Sequence, residues 1–279
     1  VGVNSSTNRI YVANAGSGSL SVIDGTTNEV VSTISVGAQP WGVGVNSSTN
    51  HIYVANAGSG TISIIDGATN TVISTISVGS TPYSVGVNSS TNHIYVTNYY
   101  SNTVSVIDGA TNTVTATISV GNSPEGVGVN SSTNRIYVAN YSGNTVSVID
   151  GSTNKVQSTI SSMGMPRGVE VNSSTNRIYV ADRYNNKVRV IEGVTNAVIS
   201  TISVESRPYG VGVNSSTNRI YVANYTSWTV SVIDGTTNTV VSTISVESGT
   251  SGVGVNSSTN RIYVTNHNSG TVSVIEDAL

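Results

Sequence analysis

Histidines and carboxylates are the first residues in this chain that could do chemistry. His267 with Glu125, Asp182 or Glu247 could supply a general base and a metal ligand or acid, the equipment of a hydrolase or lyase. Nothing in their spacing selects one set, so catalysis stands behind a binding role. His51 and His93 occupy a different place in the chain's repeat from His267, and the three cannot converge on one metal. Cysteine is absent, which removes disulfides, thiolate metal sites, c-type haem attachment and cysteine nucleophiles together. Asp24 and its counterparts each bring one carboxylate to a turn, whereas calcium wants about six to eight oxygens. No catalytic residue, metal or cofactor is expected.

Recognition chemistry is better represented. Seven of the fourteen tyrosines belong to one recurring motif; the other seven and both tryptophans fall in connections between repeat elements. Large amphipathic rings with little rotamer entropy suit contact with glycans or peptides. The candidates for a ligand-binding face are Trp41, Tyr83, Tyr99, Tyr100, Tyr141, Arg167, Arg183, Tyr184, Tyr209, Tyr225, Trp228 and His267. Arg207, Asn144 and Asn186 could add hydrogen bonds at the rim. The competing reading is that the rings roof a channel and pack on one another.

The elements that position these residues come from a repeat. Val-Gly-Val-Asn-Ser-Ser-Thr-Asn recurs, with Glu for Gly once, at Val1, Val43, Val85, Val127, Val169, Val211 and Val253, every 42 residues without insertion or deletion. Six full units (1–42, 43–84, 85–126, 127–168, 169–210, 211–252) and a seventh (253–279) form one domain of 279 residues. In the first unit Gly2–Asn4, Arg9–Asn14, Leu20–Asp24 and Val30–Val36 are runs of Val, Ile, Tyr and Thr, each ended by turn residues. Asn4-Ser-Ser-Thr-Asn8 and Asp24-Gly-Thr-Thr-Asn28 read as tight hairpins, in which Gly25 can take positive φ cheaply. Pro40, Pro82, Pro124, Pro166 and Pro208 are expected to end pairing where one unit hands over to the next.

Four antiparallel strands per unit around an axis describe an all-β, seven-bladed β-propeller. A solenoid would need atypical end caps, and the terminal units resemble the middle ones. The seventh unit lacks its outermost strand, which predicts a three-stranded last blade or closure by a segment before Val1. In the simplest register Gly2 faces Tyr11 and leaves room for its ring. Antiparallel alternation puts the first-to-second and third-to-fourth turns on one nearly invariant face. The aromatics lie on the other, where Trp41, Tyr83, Glu125, Arg167, Tyr209 and Ser251 should ring the channel mouth.

Two departures carry further expectations. Nine of the 25 charged residues lie in the fifth unit, where Glu170 replaces the inner glycine and Lys187 and Arg189 replace strand-three Thr or Ser. Glu170 is expected to pair with Arg189 or a neighbouring base, and is the candidate for a site inside the channel. Asn-x-Ser/Thr acceptor sequences for N-glycosylation occur at Asn4, Asn46, Asn88, Asn130, Asn172, Asn214 and Asn256, and also at Asn140 and Asn224; the alternative is that Asn simply forms turns.

The strand Ile-Tyr-Val-(Ala/Thr)-Asn, as in Tyr95-Val-Thr-Asn98 and Tyr263-Val-Thr-Asn266, followed by Ser-Val-Ile-Asp-Gly, resembles the YVTN β-propeller repeats of archaeal surface-layer and related secreted proteins. The resemblance spans the chain, with Asn-Ser-Ser-Thr-Asn where that family often has a Pro-Asp-Gly turn. It implies a seven-bladed propeller outside the cell, serving as an adhesive or scaffold module.

Charged residues are 9% of the chain and the net charge is −3, so no basic field is available for nucleic acid or an anionic membrane. No apolar run reaches membrane-helix length, and direct membrane insertion is not expected. A start at Val rather than Met reads as a mature or truncated segment. The expected partner is a polysaccharide or cell-surface protein at an extracellular location, with self-assembly also compatible. A structural surface-layer tile without a ligand, and an engineered consensus or recently duplicated array, are the other readings of so regular a chain.

Overall fold

The computed structural model describes residues 1–277. Its 27 strands, numbered β1–β27 in chain order, form seven antiparallel sheets. In the first blade β1 (Gly2–Asn4), β2 (Arg9–Asn14), β3 (Ser19–Asp24) and β4 (Val30–Ser35) follow one another from the axis outward. Six blades have four strands; the seventh has three, β25 (Thr250–Asn256), β26 (Arg261–Asn266) and β27 (Thr271–Glu276). The protein is a seven-bladed propeller. No helix occurs among the described residues, so none there is long and apolar enough to cross a membrane.

The hairpins form as their residues dictate, with one correction. Asn4 Oδ1 accepts from Ser6 N at 3.1 Å and Asp24 Oδ1 from Thr26 N at 2.7 Å, the side-chain turns that Asn and Asp favour. Positive φ falls on Asn8 (52°) and Asn28 (60°), not on Gly25. Gly25 is required for space: a Cβ there would lie 2.1 Å from Asn8 Oδ1, because the two turns of the blade stack on each other.

The prolines also differ from expectation. Each opens an inner strand rather than closing an outer one: β5 (Pro40–Asn46) starts with Pro40 opposite Asn56, and the register shifts before Val43. First position in a strand, beside a bulge, is where a residue without N–H is tolerated.

Gly2 does pair with Tyr11. The space left by its missing side chain belongs to the next blade, however, since a Cβ on Gly2 would meet Val43 Cγ1 at 2.8 Å and Val45 Cγ2 at 3.0 Å. Near the axis the inner strands converge, and glycine permits that approach. Tyr11 instead fills the layer between blades with Leu20, Val22 and Ile34 of its own blade and Val43, Ile52, Val54 and Ile65 of the next. The core is therefore a set of inter-blade layers, each buried by two successive repeats. At the closing seam Tyr263 packs on Ile10 and Ile23, and Arg261 Nη1 donates to Gly25 O at 2.7 Å.

Candidate functional site

The uniform face is built on asparagine. Asn4 Nδ2 donates to Asn50 Oδ1 of the next blade at 2.7 Å, and the same bond follows from Asn46 to Asn92, Asn88 to Asn134, Asn130 to Asn176, Asn172 to Asn218 and Asn214 to Asn260. Asn256 donates to Asn8 at 2.8 Å and closes the circle. All seven donors are fully buried. The nitrogen that would carry a sugar is inside the protein and already donating, which favours the turn-forming reading of these sequences over glycosylation. Asn140 and Asn224 are likewise buried, their Nδ2 atoms donating to Thr145 and Ser147 and to Thr229 and Ser231.

On the opposite face the channel mouth is roofed. Tyr83 and Tyr209 sit three repeats apart, on far sides of a seven-membered ring, and their hydroxyls meet across it at 2.6 Å. Arg167 lies over the Tyr209 ring, 3.8 Å from its centre, and grips Glu125 with two hydrogen bonds, one from Nη2 to Oε1 at 3.0 Å. Glu125 is 2% exposed. Burial pushes its carboxyl up while the Arg167 hydrogen bonds pull it back. Burial alone would depress the guanidinium, but Glu125 and the two phenols more than reverse this and hold it cationic. Desolvation raises the Tyr83 and Tyr209 phenols, so both stay protonated and neutral.

Above this roof is a cup of about 550 Å³. Trp41, Tyr83, Tyr99, Tyr100, Arg167, Arg183, Tyr209, Tyr225 and His267 line it, together with Glu125 and Ser251. Trp41 stacks on Tyr83 (centres 5.4 Å apart, planes at 20°) and on His267 (6.0 Å, 20°). Tyr99 continues this wall beside Tyr83, and Tyr209 stacked on Tyr225 forms a second. Three candidates lie outside. Tyr141 packs under Arg167 and accepts from Arg183, while Tyr184 and Trp228 are exposed to solvent away from the cavity. Gln39, Ala57 and Thr81 join the lining without having been singled out, being small or polar residues of the same connections.

Two of the three carboxylates offered for catalysis already serve other groups. Glu125 serves Arg167; Asp182, fully buried, accepts from Gly164 N, Asn185 Nδ2 and Arg189 Nε. Glu247 does not line the cup, and its carbonyl accepts from Thr250 Oγ1. His51 and His93 open their second strands at the uniform end, opposite His267. Among the described residues no three His, Asp or Glu side chains gather as metal ligands.

The fifth blade required a second correction. Arg189 pairs with Asp182 at 2.8 Å, not with Glu170. In other blades the Asp182 position is Asn, donating to a third-strand Ser, as Asn140 does to Ser147 at 2.9 Å. The change of signs therefore converts one conserved-geometry hydrogen bond into an ion pair. Glu170 lines the axial channel, which runs into the cleft between the last and first blades with a combined volume of about 1010 Å³. Among the described residues its only hydrogen bond is from the N–H of Val171, and burial pushes its carboxyl up to about 7.

Two family models match parts of the chain, a YNCE-like beta-propeller over residues 43–135 and an NHL repeat over residues 163–191. This is a β-propeller repeat protein. Neither match speaks of surface layers. No curated protein matches. The propeller is similar to a solved structure of Kuenenia stuttgartiensis hydrazine synthase, with a TM-score of 0.89 at 18% identity over 99% of this chain and 94% of that one. At that identity the likeness is one of fold. Solved chains of matching fold number 1566, so the propeller architecture by itself selects no function.

Proposed function

We propose that this propeller is a non-enzymatic binding or scaffold module that presents its aromatic face to a polysaccharide or protein partner outside the cell or at its surface. One observation carries the reading: Tyr and Trp rings from five different repeats converge on a single cup, with an ion pair and a phenol bridge at its base. Concave, mostly aromatic surfaces with a few fixed polar groups suit ligand binding. The NHL-repeat match fits a scaffold that holds a partner. The resemblance of the Tyr-Val-Thr-Asn strands supports the surface location.

A glycan and peptide array tests this. Trp41→Ala and Tyr99→Ala should each weaken the captured ligand about tenfold or more, while Trp228→Ala, outside the cup, should not. A screen with no ligand dependent on Trp41 or Tyr99 would sink the binding role and leave the structural tile.

A further inference from the structure

We propose, resting on that reading, that the cup accepts an acidic saccharide, its ring on the aromatic wall from Trp41 to Tyr100 and its anionic group against Arg183. The chain as a whole carries a net charge of −3, yet the cup holds two arginines and one carboxylate. That carboxylate, Glu125, already receives two hydrogen bonds from Arg167. Arg183 is the spare cation. Its Nη1 reaches Tyr141 Oη at 3.3 Å, and among the described residues no carboxylate lies within ion-pair distance of it. Its Nε is buried and unpartnered among the same residues.

Most other arginines are spoken for. Arg9, Arg167, Arg189, Arg219 and Arg261 each have an acid, and Arg135 and Arg177 donate to turn carbonyls of the next blade. Arg207 is exposed. A half-buried guanidinium without an acid is a fork ready for a carboxylate or sulfate, which it can hold with two parallel hydrogen bonds. The wall of the same cup runs from Trp41 stacked on Tyr83, through Tyr99, to the exposed Tyr100 set edge-on against it, and the uncovered ring surface of Trp41 and Tyr100 suits the apolar face of a pyranose. An extended peptide would seek main-chain partners along a strand edge, whereas this cup, lined by the first residues of inner strands and by the connections between strands, gathers rings and a guanidinium.

Titration calorimetry on the whole chain would use four probes: oligogalacturonate, its carboxyl-reduced form, a sulfated version of that reduced form, and poly-glutamate. Oligogalacturonate should bind roughly tenfold more tightly than the reduced oligomer, and the preference should shrink as salt rises. Arg183→Gln should abolish the preference for the acidic oligomer; Arg207→Gln should change neither that preference nor the affinity for the reduced form. Arg183→Lys, which keeps the charge and loses the fork, should fall between and serves if the Gln variant folds poorly. A stronger Arg183-dependent preference for the sulfated oligomer assigns the anion as sulfate and still supports the proposal. Equal, Trp41-dependent binding of acidic and reduced oligomers overturns it while the binding role survives. Preference for poly-glutamate overturns it in favour of an acidic peptide, and no binding by any of the four probes overturns it while the array still decides the binding role.

Discussion

Removing the charge of Glu170 should change how the fold responds to pH. The carboxyl sits where all six other blades have glycine, beside valines of the channel wall, with only the Val171 N–H for company among the described residues. Burial moves it from 4.5 to about 7 in the folded chain. Between these values the native state binds more protons than the unfolded state, so stability falls as pH rises through that window. At about 1.36 kcal/mol per unit, the full loss is roughly 3 kcal/mol. The affected window runs from about pH 4.5 to about pH 7. The phenols of Tyr53 and Tyr95, pushed up to about 12, titrate above it. The quantity to measure is therefore the difference between Glu170→Gln and wild type in urea unfolding at a series of pH values. That difference should grow in favour of the variant by about 3 kcal/mol from pH 4 to pH 8, and then level off. A difference independent of pH would show that the carboxyl is solvated or paired, and the channel argument would fail.

Arg167→Gln should cost about 3–5 kcal/mol, because it strands Glu125 in the roof, and adding Glu125→Gln should restore a large part of that loss; additive single and double variants in urea unfolding would refute the coupling. Asn46→Ala removes a donor to Asn92 and an acceptor for Ser48 N, with an expected loss of about 2–3 kcal/mol by thermal or urea unfolding. Intact-mass measurement after expression in a glycosylating host should show no sugar on the folded chain, and a glycan at Asn46 would contradict its burial. Gly44→Ala puts a Cβ 2.6 Å from Val85 Cγ1 and should cost about 1–3 kcal/mol, whereas Gly16→Ala, with nothing within 4 Å, should be close to neutral.

The limits of sequence reading follow from where partners lie. Strands, hairpins and the pairing of Gly2 with Tyr11 depend on residues within one repeat, and a 42-residue period with intact turn chemistry exposes them. The asparagine circle depends on bonds between residues 46 positions apart, in neighbouring blades, so a single repeat shows only a turn former and an acceptor sequence. The Gly2 position misleads in the same way: its pairing is local, but its need for glycine comes from Val43. Even the cross-channel bond had a signal, since Tyr83 and Tyr209 share one repeat position and three of seven steps around a ring reach the far side.

The fifth blade shows why counting signs was insufficient. Acid and base changed together in one repeat, which correctly implies compensation. Which acid compensates is decided by the direction of each side chain from its strand. Asp182 and Arg189 replace two residues that already touch, Asn and Ser, on adjoining strands, and the longer side chains reproduce that contact as an ion pair. At the inner-strand position of Glu170, by contrast, glycine counterparts would aim a Cβ at valines of the following blade, where no base is carried. Compensation thus accounts for Asp182 and leaves Glu170 over. The aromatic cup separates in the same manner: Arg167 is accounted for by Glu125, and Arg183 is left over. In a chain this repetitive, the charge that remains after every local partner has been assigned is the one for which the fold itself gives no reason.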